Sequence, residues 1–428
     1  MKNPAPHSVE TTTTKDTTRS IIIIGALFFI FGFVTWLNSV LIPYLKIACE
    51  LNNFQSYFVV TAFYISYLVM ALPSAWVLQK TGYKKGMSLG LIIMAVGAVI
   101  FIPAAYSRAY ELFLLGLFIQ GTGLALLQTA ANPYVVVLGP AESAAKRISI
   151  MGICNKIAGA LAPIVLGAIL FTSGDNLVDT IDVLQGTEKI AALNELAQRV
   201  ITPYLAMMAI LLLLSALVYF SSLPEVDADA EDEELAKANL NKTSIFQFPH
   251  LFLGTLALFL YVGVEVIAGD TIISYANEAH GIPLNEAKFF ASITLGAMIV
   301  GYVIGIFTIP KYISQENALK VSAFLGLIFG FIAIFGDGFV SVMAIALLGI
   351  ANALVWPAIW PMALAGLGRF TKVGSSFLIM AIAGGAILPP VYGYFADWDP
   401  QQAYWVLIPC YLYILFFATK GFKIGRSL

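Results

Sequence analysis

The chain is short of charge. Of its 428 residues only 11% are Asp, Glu, Lys or Arg, while 59% are hydrophobic. Soluble domains carry about 25% charged residues. That shortage excludes a sizeable soluble domain. The charges that are present nearly cancel, to −2, and no basic cluster offers a surface to nucleic acid. Cysteine is scarce as well. Cys49, Cys154 and Cys410 fall in or beside apolar segments with no paired spacing. That excludes both a disulfide framework and a cysteine metal site. The histidines, His7, His250 and His280, are scattered and suggest no metal site either. A nucleophile elbow is matched by Gly86–Gly90, GMSLG, but no strand precedes it and no triad follows. The sequence therefore does not read as an enzyme, and no cofactor is expected.

What fills the chain is long apolar runs. A span needs ~20 predominantly apolar residues. Such runs lie at 21–45, 54–79, 86–106, 110–137, 147–171 and 200–222, then at 250–277, 287–311, 318–336, 339–367, 372–395 and 402–421. The reading is an all-α membrane protein of twelve transmembrane helices. Residues 1–18 form a polar, Thr-rich tail expected to be disordered. Residues 19–223 make one six-helix bundle and 246–423 a second, joined by an acidic linker over 224–245, with 424–428 as a tail. Orientation follows from Lys and Arg. With the N-terminus inside, the cytoplasmic face collects Lys80, Lys84, Lys85, Lys146, Arg147, Lys237, Lys242, Lys311, Lys320, Arg369, Lys372, Lys420, Lys423 and Arg426. The outer face keeps only Lys46, Arg108, Lys189, Arg199 and Lys288. Both termini and the linker are then cytoplasmic.

The two bundles align as repeats. Ala26–Leu45 lies on Ala257–Ala276, so that Gly32 meets Gly263, Tyr44 meets Tyr275 and Ser39 meets Asp270. Gly121–Pro133 lies on Gly349–Pro361, so that Gln128 meets Trp356 and Asn132 meets Trp360. Parallel repeats of this kind place the substrate between the halves near the midplane.

Polar residues at that depth are the candidate site. Asn38 lies on the first span, Gln128 and Asn132 on the fourth, Asn155 on the fifth, and Asn352, Trp356 and Trp360 on the tenth. An amide offers a hydroxyl both donors and an acceptor. Tryptophan adds an apolar face and one N–H. Amides with tryptophan suit a neutral sugar better than a lipid, a peptide or an anion. The stretch Lys146–Phe171 carries an ammonium, Lys156, close to its middle. A charge at that depth costs roughly 2.5–3.5 kcal/mol on insertion scales, so it needs a partner or a wet cavity. Two carboxylates on the seventh span qualify, Glu265, about 15 residues or ~22 Å along it, and Asp270 beyond. Two carboxylates and one ammonium leave one negative charge. One proton or Na⁺, held at Asp270 with Lys156 and Glu265 tuning it, would neutralise the cluster. That is the arithmetic of cation-coupled transport. A passive facilitator or a sugar sensor is the alternative.

Several motifs resemble a known family. SAWVLQKTGYKKG after the second span, QTAANPYVVVLGP in the fourth and KVGSSF opening the eleventh are similar to the fucose–galactose–glucose:proton symporters of the major facilitator superfamily. ICNKIAGALAP in the fifth resembles the glucose/galactose and N-acetylglucosamine branches. The resemblance implies the major facilitator fold and alternating access. It implies sugar uptake across a bacterial inner membrane. A hexose or amino-hexose is the expected substrate, and a monomer in membrane lipid the expected form. The resemblance also implies proton- and sugar-handling carboxylates in the first and fourth spans, where Ser39 and Gln128 stand instead. A seventh-span carboxylate is left as the replacement.

Overall fold

In lipid a chain has no water to satisfy its backbone, so each apolar run closes its hydrogen bonds internally as a helix. The structure, a computed structural model, describes residues 14–137, 144–171, 184–221 and 243–425, with positions 181 and 223. Twelve helical spans among them are long and apolar enough to cross a membrane. In the first half these comprise α1 (Thr14–Trp36), α2 (Asn38–Ala48), α3 (Asn53–Ser56), α4 (Phe58–Thr81), α5 (Tyr83–Ser107), α6 (Tyr110–Val137), α7 (Ala144–Leu170), α8 (Gly186–Gln198) and α9 (Ile201–Phe220). In the second half they comprise α10 (Pro249–Asp270), α11 (Ile272–His280), α12 (Leu284–Thr308), α13 (Gln315–Phe335), α14 (Gly338–Ala353), α15 (Val355–Leu364), α16 (Thr371–Met380), α17 (Gly384–Ala396) and α18 (Leu407–Thr419). Helix α1 starts at Thr14, inside the stretch assigned to the tail. Residues 1–13 and 426–428 and the linker from 224 to 242 lie outside the described residues.

Several spans are interrupted, and four of the breaks have a local reason. The first breaks at Leu37, where Asn38 Nδ2 donates to Thr35 O at 3.2 Å and Ser39 Oγ donates to Trp36 O at 2.8 Å. The seventh breaks at Thr271, whose Oγ1 donates to Ile267 O at 2.7 Å. Such bonding back onto the previous turn bends a helix. The tenth breaks at Leu354, just before Pro357, which has no N–H to continue the ladder. The eleventh passes through a 3₁₀ turn, Ala381–Ala383. Irregular backbone at membrane depth is tolerated where protein buries it or a cavity adjoins it. The breaks in the first, tenth and eleventh spans adjoin the site described below, which takes Trp36, Trp356 and Ile382 from beside them.

The packing repeats as the sequence does. The first span packs on the fifth as the seventh packs on the eleventh. The second packs on the fourth as the eighth on the tenth, and the third packs on the fourth and sixth as the ninth on the tenth and twelfth. Aligned glycines do equivalent work. A Cβ on Gly121 would lie 2.3 Å from Phe63 O, and one on Gly349 would lie 2.0 Å from Thr294 O. Each lets the fourth helix of its half touch the backbone of the second, the close approach that small residues permit in membranes.

The halves meet most firmly at one end. Lys46 Nζ lies 2.7 Å from Glu278 Oε1 and 2.8 Å from Asn53 Oδ1. Asp397 accepts the backbone N–H groups of Asn53 at 2.7 Å and Phe54 at 3.3 Å. Asn53 Nδ2 donates to Ala396 O at 3.3 Å. Deeper, Thr61 Oγ1 donates to Ala386 O and Ser292 Oγ to Ala160 O, both at 2.7 Å. Together these contacts form a latch across the two bundles.

Candidate functional site

Below the latch, on the side away from it, a cavity of about 280 Å³ lies between the halves. Helix α1 gives it Phe28, Phe31, Thr35 and Trp36, and α4 gives Tyr64 and Tyr67. Gln128 comes from α6, and Gly152, Asn155 and Lys156 from α7. The second half supplies Tyr261, Val262, Glu265 and Val266 from α10, Tyr302 from α12, Trp356 from α15, and Ile382 from the 3₁₀ turn. Small-molecule sites run from about 300 Å³ upward. At this size the cavity accommodates a single small ring.

Among the described residues, one ion pair at its wall joins the halves. Lys156 Nζ stands 2.9 Å from Glu265 Oε1, with side-chain exposures of 12% and 13%. Of the two carboxylates that could meet Lys156, the structure selects Glu265. The same ammonium sits 5.1 Å from the centre of the Trp36 ring, within cation–π reach. Removing one partner of such a sheltered pair costs about 3–5 kcal/mol, because a bare charge stays behind. The pair therefore binds α7 to α10 whenever both residues are ionised.

Neutral groups make up the rest of the polar lining. Asn155 Nδ2 donates to Phe28 O at 3.3 Å across the α1–α7 contact. Gly32 permits that contact, since a Cβ there would lie 1.8 Å from Asn155 O. Gln128 faces the same space from α6. Trp356 stacks on Trp360 with ring centres 5.3 Å apart and lies 6.5 Å from the ring of Tyr261. Trp356 lines the cavity and Trp360 supports it from behind.

Of the residues singled out from sequence, the cavity gathers Gln128, Asn155, Lys156, Glu265 and Trp356. Asn352 is elsewhere. It is buried, and its Oδ1 accepts from Tyr411 Oη at 2.9 Å, an internal tie in the second half. Asn38 is fully buried behind the α1 break and is not among the cavity-lining residues. The Asn132 side chain lies outside the described residues, although its backbone belongs to α6. Asp270 is also outside the cavity wall. It ends α10, its side chain is fully buried, and neither carboxylate oxygen has a hydrogen-bond partner among the described residues. Glu265, Tyr64 and Tyr57 are within electrostatic reach of it.

Sequence reasoning missed the aromatic shell of Phe28, Phe31, Trp36, Tyr64, Tyr67, Tyr261 and Tyr302. A faint signal was available. Tyr64 and Tyr67 sit three apart and Tyr261 and Glu265 four apart, which puts each pair on one helix face.

The comparisons with known proteins agree with this architecture. The Major Facilitator Superfamily profile matches residues 24–390. The glucose/galactose transporter of Brucella abortus biovar 1 (strain 9-941) is 34% identical over 421 residues, 98% of each chain. The L-fucose-proton symporter of Escherichia coli (strain K12) is 33% identical over 407 residues, 94% of this chain and 92% of that one. Among solved structures, FucP in the outward conformation matches with a TM-score of 0.70 at 29% identity, over 96% of this chain and 100% of that one.

Proposed function

We propose that this chain, which belongs to the Major Facilitator Superfamily and is a transporter, carries a hexose or amino-hexose across a bacterial inner membrane by proton-coupled alternating access. The observation that carries the reading is the Lys156–Glu265 pair. It ties the two halves together at the wall of a ring-sized cavity whose other polar groups are neutral. The relatives named as glucose/galactose transporter and L-fucose-proton symporter support the substrate class and the proton.

The chemistry follows from the residues. Gln128 and Asn155, with Asn132 four residues on from Gln128 in the sequence, exchange hydrogen bonds with sugar hydroxyls. Trp356, backed by Trp360, gives an apolar ring face a surface to lie on. Lys156 and Glu265 cancel each other. Among the described residues Asp270 then holds a charge without a partner, and a bare carboxylate at this depth is expensive. It is neutral when it carries a proton. Protonated Asp270 beside the intact ion pair makes the loaded site electrically neutral, and a neutral site crosses between the two faces more cheaply. By the Lys and Arg bias the latch faces outward and both termini are cytoplasmic. The cavity then serves an inward-facing state in which sugar and proton leave.

The test is uptake of labelled glucose, galactose and N-acetylglucosamine into proteoliposomes, with pH and Na⁺ gradients imposed separately. Accumulation should follow the pH gradient. Asp270→Asn should abolish uphill accumulation yet spare sugar exchange between equal pools, because exchange needs no proton return. Accumulation driven by Na⁺ alone would replace the proton. Equilibration without accumulation under either gradient would mean a facilitator.

A further inference from the structure

On the opposite, membrane-facing side of the second half, a groove of about 750 Å³ runs between α13 and α18. Phe324 and Leu325 wall it from α13, and Leu412, Leu415 and Phe416 from α18. Phe324 is 59% exposed and Leu412 52%, so no described residue covers these side chains. The two helices touch closely beside the groove, where a Cβ on Gly326 would lie 2.3 Å from the Tyr411 ring. That contact brings the apolar walls together as one channel.

The groove has a polar end. Helix α13 begins there and α18 finishes there, and Lys320 and Lys420 both line it. Lys320 Nζ donates once, to Asn317 Oδ1 at 3.0 Å, which leaves it two further donors. Among the described residues no carboxylate pairs with Lys420. Glu316 lies within reach of both Lys320 and Lys423, and its principal partner is Ser314. Two ammonium groups at the mouth of an apolar channel match a molecule with one anionic head and a long apolar tail.

We propose that this groove is a site for one anionic glycerophospholipid, with its phosphodiester on Lys320 and Lys420 and an acyl chain along Phe324, Leu412 and Phe416. A zwitterionic lipid fits less well, because its own cation would lie beside the two lysines. Basic pockets between transmembrane helices recognise anionic headgroups by the same balance.

The test uses the full chain purified in detergent and titrated with phosphatidylglycerol or phosphatidylcholine, with retained lipid counted by native mass spectrometry. Phosphatidylglycerol should be held about 10- to 30-fold more tightly, given the attraction typical of two lysines near an anionic headgroup. The double variant Lys320→Gln/Lys420→Gln should fall to the phosphatidylcholine level, and Lys320→Arg/Lys420→Arg should keep the preference. Leu412→Trp fills the groove while leaving both amines, and should lose the retained lipid too; Val321→Trp repeats that test from the other helix. Equal retention of the two lipids by the unmodified chain would overturn the proposal, as would undiminished phosphatidylglycerol binding by the double glutamine variant. A preference that survives both tryptophans would leave only loose surface attraction and would also overturn it.

Discussion

Replacing Asp397 by Ala should open the latch. In the closed state this carboxylate accepts two backbone N–H groups across the bundle interface, at 2.7 Å from Asn53 and 3.3 Å from Phe54. The longer bond is exposed and adds little. The shorter one has an ionised acceptor, and such bonds contribute about 1.5–3 kcal/mol. The contact is absent once the halves part, so its whole value bears on the closed–open equilibrium. The open state should rise roughly 10- to 150-fold relative to the closed one. Lys46→Met should do less. Its bridge to Glu278 is partly exposed, at 23% and 24%, and such pairs contribute about 0.2–1 kcal/mol. The assay is labelling of Thr35→Cys, on the cavity wall, by an impermeant thiol reagent added from the latch side. Cys49, Cys154 and Cys410 are replaced beforehand. Labelling should be slow in the parent, several-fold faster with Lys46→Met, and faster still with Asp397→Ala. An unchanged rate in Asp397→Ala, or a larger effect from Lys46→Met, would refute the reasoning.

Other expectations follow from the same geometry. Gln128→Ala and Asn155→Ala should each weaken sugar binding about tenfold, the loss of one hydrogen bond to a neutral ligand, read by titrating tryptophan fluorescence. Trp356→Ala should impair binding more than Trp360→Ala, since only Trp356 reaches the cavity wall. Gly349→Ala should lower the melting temperature in detergent, because overpacking of this kind costs about 1–3 kcal/mol and the new Cβ would lie 2.0 Å from Thr294 O. Gly296→Ala, with nothing within 4 Å, is the near-neutral control. A cysteine at Asp229, in the linker, should resist an impermeant reagent added outside intact cells.

The helices were legible because hydrocarbon leaves an apolar run one way to satisfy its backbone. The repeat was legible because Gly121 and Gly349 must stay small to let helices touch. Lys156 was legible because charge at that depth requires a reason. The choice of Glu265 over Asp270 as its partner was not, since it depends on how α7 is rotated against α10. Asn352 looked like a ligand for the same reason that it is a good internal tie. An amide in a membrane helix seeks hydrogen bonds, and the sequence does not say whether Tyr411 or a sugar supplies them. The extra helix α8 went unread because its apolar residues are interspersed with polar ones and form no membrane-length run, and residues such as Leu193 and Leu196 are buried only once it packs on the first half.

Asp270 and Glu265 lie five apart on one helix yet have opposite surroundings, and under the proposed function this gives them different roles. Glu265 lines the cavity with an ammonium at 2.9 Å. Neutralising that carboxylate would strand Lys156 without its counter-charge. Asp270 has no such partner among the described residues, and Gly269 beside it is packed against the Trp36 ring. A buried carboxylate without a partner is costly as an anion, and the proposed function therefore puts the coupling proton there. The repeat strengthens the assignment. Ser39 occupies the matching place in the first half, and its hydroxyl merely ties back to Trp36 O. One half thus has a helix-bending hydroxyl where the other has a carboxylate. Glu265→Gln separates the two carboxylates. It should leave Lys156 without its anion and impair sugar exchange as well as accumulation, whereas Asp270→Asn should abolish accumulation alone. If Glu265→Gln instead lost only accumulation and Asp270→Asn lost nothing, the proton would belong to Glu265 and the division of roles would be reversed.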